Sequence, residues 1–167
     1  MDLSAVAAEQ AAVLEAFGLS GPEPVTMRMG LSSWYRRWHP APGRHAYVTP
    51  ALDGWFLVFG DLVGPHEAMA ICEAVSAKLG ECHYYGTGWL VAREGRVVRW
   101  FDDELPELGE PLPFEIEWGD PRVSEVLREV SVDPGRLGAH TRVRGRGVLA
   151  LTELGREQGP GGGVLEI

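Results

Sequence analysis

Apolar residues recur every three to four positions between residues 65 and 79, at Ala68, Ile71, Cys72, Val75 and Leu79. That spacing predicts a helix with one buried stripe. Pro65 suits the first helical position, Glu67 puts negative charge in the first turn, and Gly80 supplies a stop. The same period returns over 121–130 in Val123, Val126, Leu127 and Val130, with Asp120 as N-cap and Pro121 at the first position. A third helix is expected over 2–17, where Leu3, Val6, Gln10, Val13, Leu14 and Phe17 fall near one stripe before Gly18. Residues 19–24 then read as a linker.

Elsewhere the period is two. The stretch ECHYYGTGWLVAREGRVVRWFDDE, residues 81–104, holds six aromatics counting His83. It predicts strands at 81–85, 89–93 and 96–101, the last two joined by a Glu94-Gly95 turn that tolerates positive φ. Side chains alternate faces, so Trp89, Val91 and Arg93 share one side of their strand. Val97, Arg99 and Phe101 share one side of the next. Most of these aromatics read as core and a minority as exposed. Further strands are expected at 25–29, 46–49 and 55–59, the last pair joined through the Asp53-Gly54 turn. Residues 114–118 alternate apolar and acidic, which predicts an edge strand with one wet face. VLALTEL, 148–154, reads as a last short strand or helix.

These elements predict an α+β fold: a mainly antiparallel sheet with two or three helices, those at 65–79 and 121–130 among them, packed on one face. Residues 1–23 would be an N-terminal helix and linker, 24–155 a single domain, and 156–167 a flexible Gly-rich tail.

Composition narrows the function classes. A chain of 167 residues fits one domain, and no run approaches the length of about 20 apolar residues that spans a bilayer. The start, MDLSAVAAEQ, lacks the basic residues of an export signal, so a cytoplasmic protein is expected. The net charge of −9 argues against nucleic acid and against an anionic membrane as partners. Cys72 and Cys82 read as free thiols, Cys72 as a small core residue on its helix stripe. Cys82 beside His83 is only a pair, and neighbours on a strand point to opposite faces, so neither a metal nor a Cys–His nucleophile is expected. The phosphate, dinucleotide, zinc-protease and serine-hydrolase motifs are absent. The reading therefore favours a non-enzymatic protein without a cofactor.

Charge is segregated along the chain. Residues 24–52 carry Arg28, Arg36, Arg37 and Arg44 with His39 and His45 and no acid, interleaved with Trp34, Tyr35, Trp38 and Tyr47. Arginine beside aromatics can fork onto an anion and stack on a ring. Trp34, Arg36, Arg37, His39, Arg44 and His45, with Tyr84 from the sheet, are the candidate ligand-binding residues. Residues 102–120 hold eight acids and no Arg or Lys. Asp102, Asp103, Glu104 and Glu107, flanked by Trp100, are the candidate contacts for a basic protein partner. The two segments could instead neutralise one another.

The blocks DGWFLVFGDL, LGECHYYGTGWLVAREGRVVRWFDDELPELGEPLPFE and SEVLREVSVDPGRL resemble a family of uncharacterised proteins from Streptomyces and related actinomycetes, over about residues 46–137. The link Tyr85-Gly86-Thr87-Gly88-Trp89 is shorter here than in that family. The resemblance carries no activity and transfers no catalytic residue. More distantly, the Trp-rich pattern and acidic surface are similar to bacterial immunity proteins of the cell-wall-assembly-regulator-like superfamily, which neutralise toxins by direct binding. The expected function is a protein-binding one, immunity-like or regulatory. The alternative is a small-molecule binder or accessory enzyme of natural-product biosynthesis, with an anionic or aromatic ligand in the Arg/His/aromatic segment.

Overall fold

The computed structural model describes residues 3–35, 44–60, 65–86, 88–102, 106–118 and 123–157. In chain order the elements are β1 (Leu3–Val6), α1 (Gln10–Ala16), β2 (Ser20–Val25), α2 (Met27–Tyr35), β3 (His45–Val48), β4 (Ala51–Leu52), β5 (Phe56–Phe59), α3 (Pro65–Leu79), β6 (Glu81–Tyr85), β7 (Trp89–Arg93), β8 (Arg96–Phe101), α4 (Pro113–Trp118), α5 (Val123–Val130), a 3-10 turn (Pro134–Arg136), β9 (Val143–Arg144), β10 (Gly147–Leu151) and α6 (Glu153–Glu157). Eight strands form one sheet in the order β2-β10-β3-β5-β1-β6-β7-β8, and each neighbouring pair is antiparallel. β4 and β9 make a separate two-stranded ribbon.

Both faces of the sheet are apolar, so both must be covered. Val6, Val48, Val58, Cys82, Leu90 and Trp100 lie on one side, under Val13 of α1 and Ala68, Cys72 and Val75 of α3. Leu3, Tyr47, Leu57, Tyr85, Trp89 and Val91 lie on the other, with Phe114 of α4, Val126 and Leu127 of α5 and Leu31 of α2. The fold is α+β with an antiparallel sheet, as the pattern predicts. The expectation of two or three helices on one face is corrected: the described residues contain six helices, and α3 and α5 pack on opposite faces.

Four local expectations also change. The helix expected over 2–17 divides into β1 and α1. Leu3–Val6 is buried at every position because it lies between β5 and β6 with a helical layer on each side, so it shows no alternation. The expected linker at 19–24 is β2, an edge strand whose Pro22 and Pro24 suit a sheet border. The strand expected at 25–29 gives way to α2. There the hydroxyl of Thr26 accepts from the backbone N–H of Met29 at 3.2 Å, an N-cap bond. Gly30 lets that helix approach the sheet, since a Cβ there would stand 2.2 Å from the Tyr47 ring. The strand expected at 114–118 is α4. Among the described residues, no helix is long and apolar enough to cross a membrane.

Candidate functional site

The acidic segment is held against the β8 edge by side chains and backbone together. Strand β8 pairs with β7 through a bulge: Arg99 opposes Val91, Val97 opposes Ala92, and Val98 is the extra residue. The bulge moves Val97 to the α3 face, away from Arg99 and Phe101, with which simple alternation had placed it. The returning chain then meets β8. The backbone groups of Trp100 and Leu108 exchange hydrogen bonds at 3.0 and 3.1 Å, which occupies part of the open edge. Gly109 crosses so closely that a Cβ would lie 2.0 Å from the Val98 carbonyl oxygen, and its φ is +81°. Only glycine fits both demands.

Arg99 fastens this return. Its Nη2 meets Glu107 Oε2 and Glu115 Oε1, each at 2.6 Å, and its Nε donates to both Glu115 oxygens at 3.0 Å. Nη1 donates to the carbonyls of Leu108 and Gly109 at 3.3 and 3.4 Å. The guanidinium also sits 5.8 Å from the centre of the Trp89 ring and 6.0 Å from that of Phe101. Glu115, and Glu107 after it, outweigh the effect of burial and raise the Arg99 pKa. Arg99 and Glu115 are both buried, so the pair is saturated rather than open to a ligand.

Glu115 has a second task. Its Oε2 accepts from the backbone N–H of Leu112 at 2.6 Å, a side chain three residues into the helix reaching back to the residue before it. Pro113 occupies the first helical position. These two features make α4 a helix despite its strand-like alternation. As a helix it turns Ile116 outward, 76% exposed, and Leu108 is 50% exposed nearby along the chain. Glu107, Glu110 and Glu117 are exposed in the same stretch of chain. The result is a pinned acidic surface with two aliphatic side chains in water.

The aromatics of residues 81–101 are core. Tyr84, Tyr85, Trp89 and Trp100 are buried, and Phe101 is half-buried. Trp100 is buried on the α3 face of the sheet and offers nothing to a partner, which corrects its placement among the contact residues. Asp102 is buried as well. Glu107 is exposed and paired with Arg99, an arginine of the sheet and not of the cationic segment. Asp103 and Glu104 lie outside the described residues.

The candidate ligand site is not assembled by its described members. Arg36, Arg37 and His39, and the side chain of Trp34, lie outside the described residues. Arg44 is buried at the start of β3, where its carbonyl accepts from Thr152 N–H at 3.0 Å. His45 shares the Tyr47 side of β3, the α5 face, whereas Tyr84 lies on the α3 face. Three strand spacings, about 14 Å, also separate β3 from β6. His45 and Tyr84 thus point to opposite sides of the sheet.

A second polar group occupies the α5 face of β6. His83 Nε2 bonds Glu81 Oε1 at 2.9 Å, and its Nδ1 faces the Tyr85 hydroxyl at 3.4 Å. That hydroxyl lies 3.3 Å from Ser131 Oγ. Trp55 covers the His83 ring at 5.0 Å between centroids. Arg93, opposite Glu81 on β7, bonds the same carboxylate at 2.9 Å. The His83 bond first, with Arg93 adding to it against burial, holds the Glu81 carboxyl down at about 2. Burial pushes the Tyr85 phenol well above its usual range. His83 is fully buried, so this chain of bonds is structural. Cys72 and Cys82 are free, buried thiols 3.5 Å apart, and the partner thiol and burial raise the Cys82 pKa. Among the described residues, no cluster of three or more His, Cys, Asp or Glu could hold a metal ion.

Reading by sequence missed Arg99 as the clamp and Leu108, Glu110, Ile116 and Glu117 as the outward side chains. The available signal was Leu112-Pro113 followed by Glu115, a helix start. No protein-family model matches the chain, and neither a curated protein nor a solved structure matches it.

Proposed function

We propose that the chain is a non-enzymatic protein-binding protein, immunity-like or regulatory, that engages a basic partner through the surface of residues 106–117. One observation carries this reading: an acidic segment that also exposes Leu108 and Ile116 is fastened to the sheet edge by a saturated arginine. Exposed aliphatic side chains within an acidic segment suit a partner with an apolar patch bordered by Lys or Arg. Because the segment is already held in place, little ordering entropy opposes binding. The net charge of −9 also favours approach of a cation.

A labelled peptide of alternating Leu and Arg serves as the probe. Glu110→Lys with Glu117→Lys should slow its association about tenfold or more at low salt, and Ile116→Ala should speed its release. The control is Glu9→Lys with Glu15→Lys, which changes net charge equally at exposed acids of the α1 region. An equal loss in that control, or none in the first variant, removes the docking reading.

A further inference from the structure

The chain carries a counterpart to its acidic surface. Residues 134–152 contain Arg136, Arg142, Arg144 and Arg146 and no acid, inside a protein of net charge −9. Arg142, Val143, Arg144 and Arg146 are all exposed, Val143 by 57%. Backbone and side-chain bonds fix the segment. β9 pairs with β4, Ala51 opposite Arg144 and Leu52 opposite Val143. Asp53 Oδ1 accepts from both the backbone N–H and Nε of Arg142, each at 3.1 Å. The Arg146 carbonyl accepts from Gln10 Nε2 at 2.8 Å. Asp53 takes up Arg142, whereas Arg144 and Arg146 form no ion pair among the described residues.

The two surfaces match in kind. One sets Leu108 and Ile116 among Glu107, Glu110 and Glu117, and the other sets Val143 among Arg142, Arg144 and Arg146. Within one molecule they belong to different parts of the fold. The acidic surface lies on β8, one border of the sheet, and the basic ribbon leads into β10, next to the opposite border. Six strand spacings, about 29 Å, lie between β8 and β10.

We propose that the basic ribbon of residues 142–146 is a docking site for the acidic surface of a second copy of this chain. This rests on the docking reading of residues 106–117 and adds to it. The contact is head-to-tail: each copy offers a different patch, so it repeats along a row unless the rotation closes a ring. A second copy seated on the acidic surface excludes a basic partner there, so self-association and partner binding compete. Arg144 and Arg146 follow the exposed Val143, so an acidic protein surface that also exposes aliphatic side chains matches both the charge and the apolar side chain, whereas a polyphosphate backbone matches the charge alone.

The test is sedimentation of the full chain in low and high salt, on variants with unchanged circular dichroism. At low salt the wild type should sediment with a weight-average mass that rises with concentration to about twice the monomer or more, and high salt should abolish the rise. Arg144→Glu with Arg146→Glu should remain monomeric, as should Glu110→Lys with Glu117→Lys. An equimolar mixture of the two variants should associate again, because each then meets the opposite charge. A wild type that stays monomeric at low salt, or variants that associate alone as it does, overturns the proposal. So does a ribbon whose substitution abolishes binding of a short oligonucleotide with no change in sedimentation. The arginine variant keeps its acidic surface and, freed from the competing copy, should bind the Leu/Arg peptide at least as well as wild type does. Peptide binding with no self-association removes the second copy alone, while indifference of the peptide to Glu110→Lys and Glu117→Lys removes the docking reading beneath it.

Discussion

Glu81 illustrates how one side chain joins a strand pair to a buried ring. It lies at the start of β6, bonded to His83 on its own strand and to Arg93 across the ladder. Its carboxyl titrates at about 2 against an ordinary value of 4.5, His83 being the first cause. A carboxyl depressed by folding adds stability that is complete above its unfolded pKa and disappears as the pH falls through the folded one. Glu81→Gln should therefore lower stability by roughly 1 kcal/mol near neutral pH. In urea titrations the gap to wild type should narrow between pH 4.5 and about 2. A gap that stays constant with pH would show that the charge on Glu81 contributes nothing.

At the scale of elements, α4 and the loop before it depend on Gly109. Alanine there must adopt φ near +81° and place a Cβ against the Val98 carbonyl. The strain alone is about 1–2 kcal/mol, and the close contact adds to it. Gly109→Ala should speed amide exchange across residues 106–118 and weaken peptide binding with no charge altered. Exchange and binding equal to wild type would mean that the clamp does not hold this surface.

Helices were legible where one face met the core and the other met water, as in the apolar stripes of α3 and α5. β6 and β7 are buried on both faces, and they with β8 were legible from the Glu94-Gly95 turn and from their aromatic and branched apolar residues. β1 was not legible, because a strand covered on both sides has no polar phase and its Ala-rich continuation imitates a helix. α4 misled for the opposite reason: Phe114, Ile116 and Trp118 alternate with acids, yet Glu115 turns back to Leu112 and starts a helix. The candidate site was legible as a charge run but not as a geometry. Residues 102–120 were identified, but nothing local predicted that Arg99 would collect Glu107 and Glu115 and leave Glu110, Ile116 and Glu117 outward. Trp100, conspicuous as an aromatic, is wholly buried.

At the scale of the molecule, β1 joins the two halves of the sheet. On one side Leu3 opposes Phe59, and on the other it opposes Tyr85. Removing residues 1–6 would leave β5 and β6 without their shared neighbour, each with a row of unpaired amide and carbonyl groups. That deletion should abolish cooperative urea unfolding, and a sharp transition retained in the truncated chain would show that the halves close without it.

The place of β1 also sets a timetable for synthesis. Leu3–Val6 cannot be clasped on both sides until the chain has been translated past Tyr85, so this strand waits on a partner far along the sequence. Until then an apolar strand is open to chaperones or to misassembly, since pairings between sequence-distant neighbours are slower to form than local ones.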